Sequence, residues 1–184
     1  MNIESHPISI VIDSIHENIE LEFSIYKYQP QSIIDERKSF PVKKLDLSDS
    51  WLLDQLNRLN ENEELAFHSK FKIGSRYYHM PMIDFNCKIE DIDKAKKVLS
   101  NLLPKEIFHS LSFYESGRSL HAYGSTPIPN TRWVEFMGRL LLANLPNEPS
   151  IIDTRWVGHR LVGGYSSLRW SANSDYYLKI PTKI

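Results

Sequence analysis

The sequence predicts an α+β fold. Apolar stripes at helical spacing occur three times: at Leu52, Leu53, Leu56 and Leu59; at Ile92, Ala95, Leu99 and Leu102; and at Val134, Met137, Leu140 and Leu141, with Asn144 near the same face. Two strand pairs turn on a glycine, at Gly74-Ser75 and at Ser116-Gly117. Hairpins and helices come in mixed order, without the strict strand-helix alternation that builds a parallel sheet.

In chain order, ISIVID and IELEFSIYKY read as strands, the second alternating through Leu21, Phe23 and Ile25. QPQSIIDERKSFPVKK is polar and interrupted by Pro41. SDSWLLDQLNRLN carries a Ser/Asp cap and reads as a helix. ELAFHSKFKIGSRYYHMPMIDFN reads as the first hairpin, and Pro81 marks an edge or a bulge in its second arm. DIDKAKKVLSNLL is a helix stopped before Pro104. IFHSLSFYESGRSLHAYGS is the second hairpin, and TRWVEFMGRLLLANLP the third helix. SIIDTRW begins with a short strand, and GYSSLRWS and YYLKI read as final strands. An N-terminal β/α unit (1–70) packing on a region with both hairpins (71–184) gives one compact, two-lobed domain.

The chain of 184 residues suits a single domain, and 41% hydrophobic residues suffice for a core. The charged share of 24% does not indicate disorder. The lone Cys87 excludes an internal disulfide and a multi-cysteine zinc site, and a reducing, cytoplasmic setting follows as the simplest expectation. No apolar run reaches membrane-spanning length, so no membrane partner is expected. MNIESHPISI has no basic region followed by a long apolar stretch, so no signal peptide is expected. The net charge of −1 hides an asymmetry: residues 150–184 hold five Lys/Arg against two Asp/Glu. That tail offers a local basic surface, or simply ordinary surface arginines.

Three segments carry chemistry. In MIDFN, Asp84 and Asn86 lie two apart on a strand, so they share a face with Phe85 opposite. Such a pair of oxygen donors can hold a divalent cation. In SGRSLHAYG, Ser119 and His121 likewise share a face, after a turn in which Gly117 permits close backbone approach to a phosphate. In IIDTRW, two isoleucines carry Asp153 to a strand end, and GYSSLRWSAN follows with Arg169. Nucleotidyl transfer needs carboxylates that hold Mg²⁺ or Mn²⁺ and cationic or hydrogen-bonding groups on the triphosphate. Asp84, Asn86 and Asp153 can supply the first; Ser119, His121, Arg118 and Arg169 can supply the second.

Over about Phe71 to Asn173 the chain resembles the archaeo-eukaryotic primases and primase-polymerases. Their pattern is an acidic pair with one residue between, a Ser-x-His after a Gly-containing turn, a late apolar-Asp, and a Leu-Arg near Ser and Asn. MIDFN, SGRSLHAYG, IID and SLRWSAN stand here in that order. The resemblance implies an RRM-like antiparallel sheet and a nucleotidyltransferase of DNA replication. Its substrate would be a nucleoside triphosphate, its template DNA or RNA, and its cofactor Mg²⁺ or Mn²⁺. It makes Asp84 and Asp153 metal ligands, puts Ser119 and His121 on the phosphates, and gives Arg169 a supporting place there. A core this small, without a zinc-binding module or helicase, is expected to work with a protein partner. Asn86 departs from the family, which has Asp or Glu there; the lost charge weakens a two-metal site. Glu90, Asp91 and Asp93 lie near a helix start and are not assigned as substitutes.

Each residue also has a plainer reading. Asp84 and Asn86 can start a turn, Asp153 can cap the next segment, and His121 can be a half-buried strand residue. Arg118 and Arg160 read as surface groups or groups behind the site, and His159 as structural. Trp156, Trp170 and Cys87 read as core. The main rival function is a catalytically degenerate primase-like module that binds nucleotide or nucleic acid, which Asn86 favours. A phosphodiesterase using the same metals is a third reading.

Overall fold

The computed structural model describes residues 3–15 and 19–184. The elements are α1 (Ile8–Ser14), β1 (Glu20–Lys27), β2 (Lys38–Lys43), α2 (Asp49–Asn57), β3 (Glu63–His68), β4 (Lys70–Ile73), β5 (Arg76–His79), β6 (Met82–Asp84), α3 (Ile92–Leu102), α4 (Lys105–His109), β7 (Leu111–Glu115), β8 (Leu120–Gly124), β9 (Ile128–Pro129), α5 (Asn130–Leu141), α6 (Thr154–Gly163), β10 (Ser167–Arg169) and β11 (Thr182–Lys183). The fold is α+β, with antiparallel sheets in the orders β10-β3-β1-β2, β11-β7-β8-β6 and β4-β5-β9. Among the described residues no helix is long and apolar enough to cross a membrane.

Two apolar cores flank the β11-β7-β8-β6 sheet. One face sends Met82, Tyr114 and Tyr123 into a core shared with α1, α2 and the β10-β3-β1-β2 sheet, where Phe23, Phe67 and Trp170 pack at ring separations of 5.0–5.2 Å. The other face sends Ile83, Phe85, Phe113, Leu120 and Ala122 against α3 and α5. Strand alternation produces this division: Ile83 and Phe85 go one way, Met82 and Asp84 the other. Trp156 packs against both cores, at the seam.

Several elements differ from the sequence expectation. ISIVID is α1, not a strand: Ile8, Val11 and Ile15 recur at helical spacing and are buried, and Pro7 sits at the helix start. The two glycine hairpins lie in different sheets. Between β5 and β6, Pro81 interrupts the ladder and sends the chain from one sheet to the next. On α5 the buried face is Trp133, Phe136, Met137 and Leu140, while Val134 is 62% exposed. Trp133 sets that rotation by stacking on His79, centroids 4.6 Å apart, and donating to Ser166 Oγ. The SIIDTRW strand shrinks to one bridge, Phe85 to Ile152, and α6 follows at once. YYLKI forms no strand; pairing with β7 begins only after Pro181, which has no N–H to give a ladder.

Candidate active-site cleft

Backbone register assembles the site. β8 and β6 pair with His121 opposite Asp84. Beyond β6 the bridge of Phe85 to Ile152 continues the ladder, and Asp153 N–H donates to Asp84 C=O at 3.1 Å. Paired residues of an antiparallel ladder put their side chains on one face. His121, Asp84 and Asp153 therefore form a row across three chain segments. Asn86 sits two residues on from Asp84, exposed and facing the same cleft, with Phe85 buried opposite.

The Asp153 arm is fixed by Asn144, which acts as a substitute strand. Its Oδ1 accepts from Ile151 and Ile152 N–H at 2.8 and 2.9 Å, and its Nδ2 donates to Ile152 C=O at 3.0 Å. Asp153 then caps α6, Oδ1 accepting from Trp156 N–H at 3.0 Å. Capping and facing the cleft are thus compatible, because a carboxylate has a second oxygen.

The row opens into a cleft of about 1170 Å³ between the β10-β3-β1-β2 sheet and the β11-β7-β8-β6 sheet. All seven residues singled out in the sequence line it: Asp84, Asn86, Arg118, Ser119, His121, Asp153 and Arg169. Its wall holds seven Lys/Arg against five Asp/Glu, an excess suited to an anionic ligand. Arg118 is exposed at the mouth. Ser119 sits in the turn before β8, where its carbonyl accepts from Ser116 N–H and Oγ, both at 3.0 Å. Gly117 takes φ +115°, and the chain it closely approaches is Leu178: a Cβ there would lie 3.2 Å from Leu178 Cβ.

Arg169, expected to assist at the phosphates, is 5% exposed and heavily bonded. It donates to the carbonyls of Ser116 at 2.7 Å and Lys179 at 3.2 Å and to that of Ser171, with its guanidinium 3.9 Å over the Tyr177 ring. It thereby ties the Ser119 turn to the C-terminal segment. Ser171 and Asn173, also quoted from the motif, serve the fold. Glu64, fully buried, accepts from Ser171 Oγ, from Asn173 N–H and from Ser174 N–H and Oγ.

The electrostatics of the row are unusual. Burial and then the neighbouring Asp153 charge push the Asp84 carboxyl up to about 8. Burial and then Arg169 hold His121 well below the ordinary imidazole range, so it is neutral. Its Nε2 stands 3.7 Å from Asp84 Oδ1, too far for a hydrogen bond, and its buried Nδ1 has no partner among the described residues. No three His, Cys, Asp or Glu side chains gather as a metal cluster among the described residues. Two adjacent carboxylates, one forced toward its neutral form, with an amide oxygen beside them still fit a hard, oxygen-seeking cation whose shell substrate oxygens complete.

Sequence reasoning missed a second group on the opposite wall. Asp35 accepts from Arg37 Nε, 2.9 Å to both oxygens, and from Arg160 Nη2. Arg160, read as a surface or supporting residue, is only 3% exposed. No local pattern signals this: Asp35 and Arg37 sit in a polar loop, and Arg160 reaches them across 125 residues of chain.

A family model described as AEP-like, archaeo-eukaryotic primase 1D-like, matches residues 43–182, about three quarters of the chain. No curated protein and no solved structure compared with the chain matches it.

Proposed function

The chain belongs to the archaeo-eukaryotic primase-like family, and from that premise we propose that it is a primase-polymerase-type nucleotidyltransferase acting on nucleoside triphosphates along a DNA or RNA template. The observation that carries this reading is the row of His121, Asp84 and Asp153 on one cleft wall. In the proposed step, a strand hydroxyl oxygen bonds to the α-phosphorus. The bond from that phosphorus to the bridging oxygen breaks, pyrophosphate leaves, and the hydroxyl proton passes to water. Asp84, Asp153 and the Asn86 carbonyl would hold Mg²⁺ or Mn²⁺, which supplies charge neutralisation and an acidified hydroxyl.

The chain's own groups position and neutralise. Neutral His121 would direct at a phosphate oxygen its Nε2, which stands 3.7 Å from Asp84 Oδ1, and the Ser119 hydroxyl stands beside it at the turn. Arg169 holds that turn in place through Ser116 and adds its charge from behind. Arg118 reaches from the exposed rim.

A second reading, a degenerate module that binds nucleotide or nucleic acid without turnover, is favoured by one observation: the neutral, exposed Asn86 leaves only two carboxylates in the row. Primer synthesis and extension with Mg²⁺ and then Mn²⁺ separates the two. Product from the wild type that disappears in Asp84→Ala supports the enzyme. Absence of product on every template, with triphosphate binding intact and weakened ~10-fold or more by His121→Ala, supports the binding module. In the enzyme, Asn86→Asp restores a charge and tightens Mn²⁺.

A further inference from the structure

The wall opposite the carboxylate row carries two guanidiniums that the reading above does not use. Arg37 and Arg160 converge on the single carboxylate of Asp35. Arg37 lies 4.1 Å over the Tyr26 ring and donates to Ser24 Oγ and Ser167 Oγ at 3.4 and 3.3 Å. Arg160 is fixed over Tyr165, 5.6 Å away, and its Nε and Nη1 are buried without a partner among the described residues. Two positive charges thus face one negative, and two buried donors stay unused. A carboxylate, with two oxygens and one charge, leaves this site incompletely satisfied.

Asp35 is also poorly suited to be a permanent ligand. Its side chain remains 28% exposed, and it belongs to the loop joining β1 to β2, in which the two preceding residues, Ile33 and Ile34, are 86% and 65% exposed. The neighbouring His68 adds no charge: its Nε2 meets Ser24 Oγ at 2.8 Å, and burial first, then the two arginines, lower it to about 3. Along α6, Arg160 lies seven residues from Asp153, roughly 10 Å by helical rise. The anion site uses different groups from the carboxylate row, though the Arg160 charge still reaches Asp84, and it opens into the same cleft. Tyr28 and Tyr176, 42% and 46% exposed and packed edge to face 5.2 Å apart, line that cleft too and offer an aromatic surface to unpaired bases.

We propose that Arg37 and Arg160 form a second anion site for a backbone phosphate of a single nucleic-acid strand, which Asp35 occupies until the strand displaces it. A phosphate presents more acceptor oxygens than Asp35 and reaches the unused Arg160 donors. The open mouth and the exposed tyrosines favour a strand passing through over a free nucleotide. This deepens the nucleotidyltransferase reading by assigning a strand-holding wall, and it rests on that reading for the strand's role.

The test is fluorescence anisotropy of a labelled single-stranded oligonucleotide in EDTA without nucleotide, so that failure of catalysis leaves it readable. Asp35→Asn removes the competing charge and is expected to tighten strand binding about tenfold. Arg160→Lys keeps the charge but loses the fork, and is expected to weaken binding several-fold at an unchanged salt slope; Arg160→Ala lowers that slope by about one. Circular dichroism and thermal melts confirm that each variant is folded. Nucleoside triphosphate affinity, titrated in parallel, is expected to stay within about twofold in Asp35→Asn, well below the strand effect. Unchanged or weaker strand binding in folded Asp35→Asn overturns the proposal. So does tightening for the triphosphate alone, which would assign the site to the free nucleotide.

Discussion

Asp84→Asn tests the electrostatics of the cleft while nearly preserving its shape. The Asp84 carboxyl is raised from 3.8 to about 8 by burial and by Asp153. Between those values the folded protein holds a proton that the unfolded chain has released. Stability therefore falls as pH rises from about 4 to about 8, and above 8 the whole penalty is present. The full shift corresponds to roughly 6 kcal/mol. The side chain is 22% exposed, so water screens part of it, leaving an expected penalty of about 1–3 kcal/mol. Asn carries no charge and escapes this. In EDTA at pH 9, Asp84→Asn is expected to melt above the wild type, by about 2–4 °C per kcal/mol. Near pH 4 the two melting temperatures converge. Mn²⁺ at a thousand times Kd reverses the order at high pH, because it stabilises only the protein that binds it, by about 4.1 kcal/mol. A variant no more stable than the wild type at pH 9, or an advantage of equal size at pH 5 and pH 9, refutes the argument that the unpaired charge at Asp84 is costly.

Two further substitutions separate structure from chemistry. Asp153→Ala loses the α6 cap and about 1 kcal/mol by urea unfolding, whereas Asp153→Ser keeps a capping oxygen and most of that stability. Both are expected to lose Mn²⁺ binding by calorimetry and to return the Asp84 carboxyl toward its ordinary range; retention of Mn²⁺ affinity in the serine variant removes Asp153 from the metal site. Glu64→Ala strands two N–H groups and two hydroxyls in the interior, for an expected loss of about 3–5 kcal/mol in urea, and a loss below about 1 kcal/mol contradicts a fold-holding role for Glu64.

Much of the site was legible locally. Asp84 and Asn86 share a face through the two-residue period of an extended chain, whereas Ser119 lies in the turn before β8 and only His121 is set by the strand. Gly117 marked its turn because a positive φ suits glycine. Helix α2, capped by Ser48, and helix α3, which buries Ala95 and Leu99 of its stripe, were readable from helical spacing, although Leu53 of α2 is exposed. Where the local signal was ambiguous, the reading failed. ISIVID has β-branched residues and a helical stripe at once, and burial against the first core decides for the helix. The α6 segment hides behind Gly158 and Gly163, and its start depends on Asp153 capping a chain already held by Asn144.

The sequence by itself determined the chemical inventory: the acids, the imidazole and the serine, with Asp84 and Asn86 delivered to one face by backbone periodicity. Only the tertiary structure decided how these segments meet. The register that aligns His121, Asp84 and Asp153 comes from hydrogen bonds between chain stretches far apart in sequence. The raised Asp84 carboxyl exists only because folding removes water and brings Asp153 beside it. The roles of Arg169 as a tie and of Arg37 and Arg160 around Asp35 were set the same way. A guanidinium on a flexible side chain bonds whatever acceptors the packed fold brings within reach, and no residue adjacent in sequence encodes which those will be.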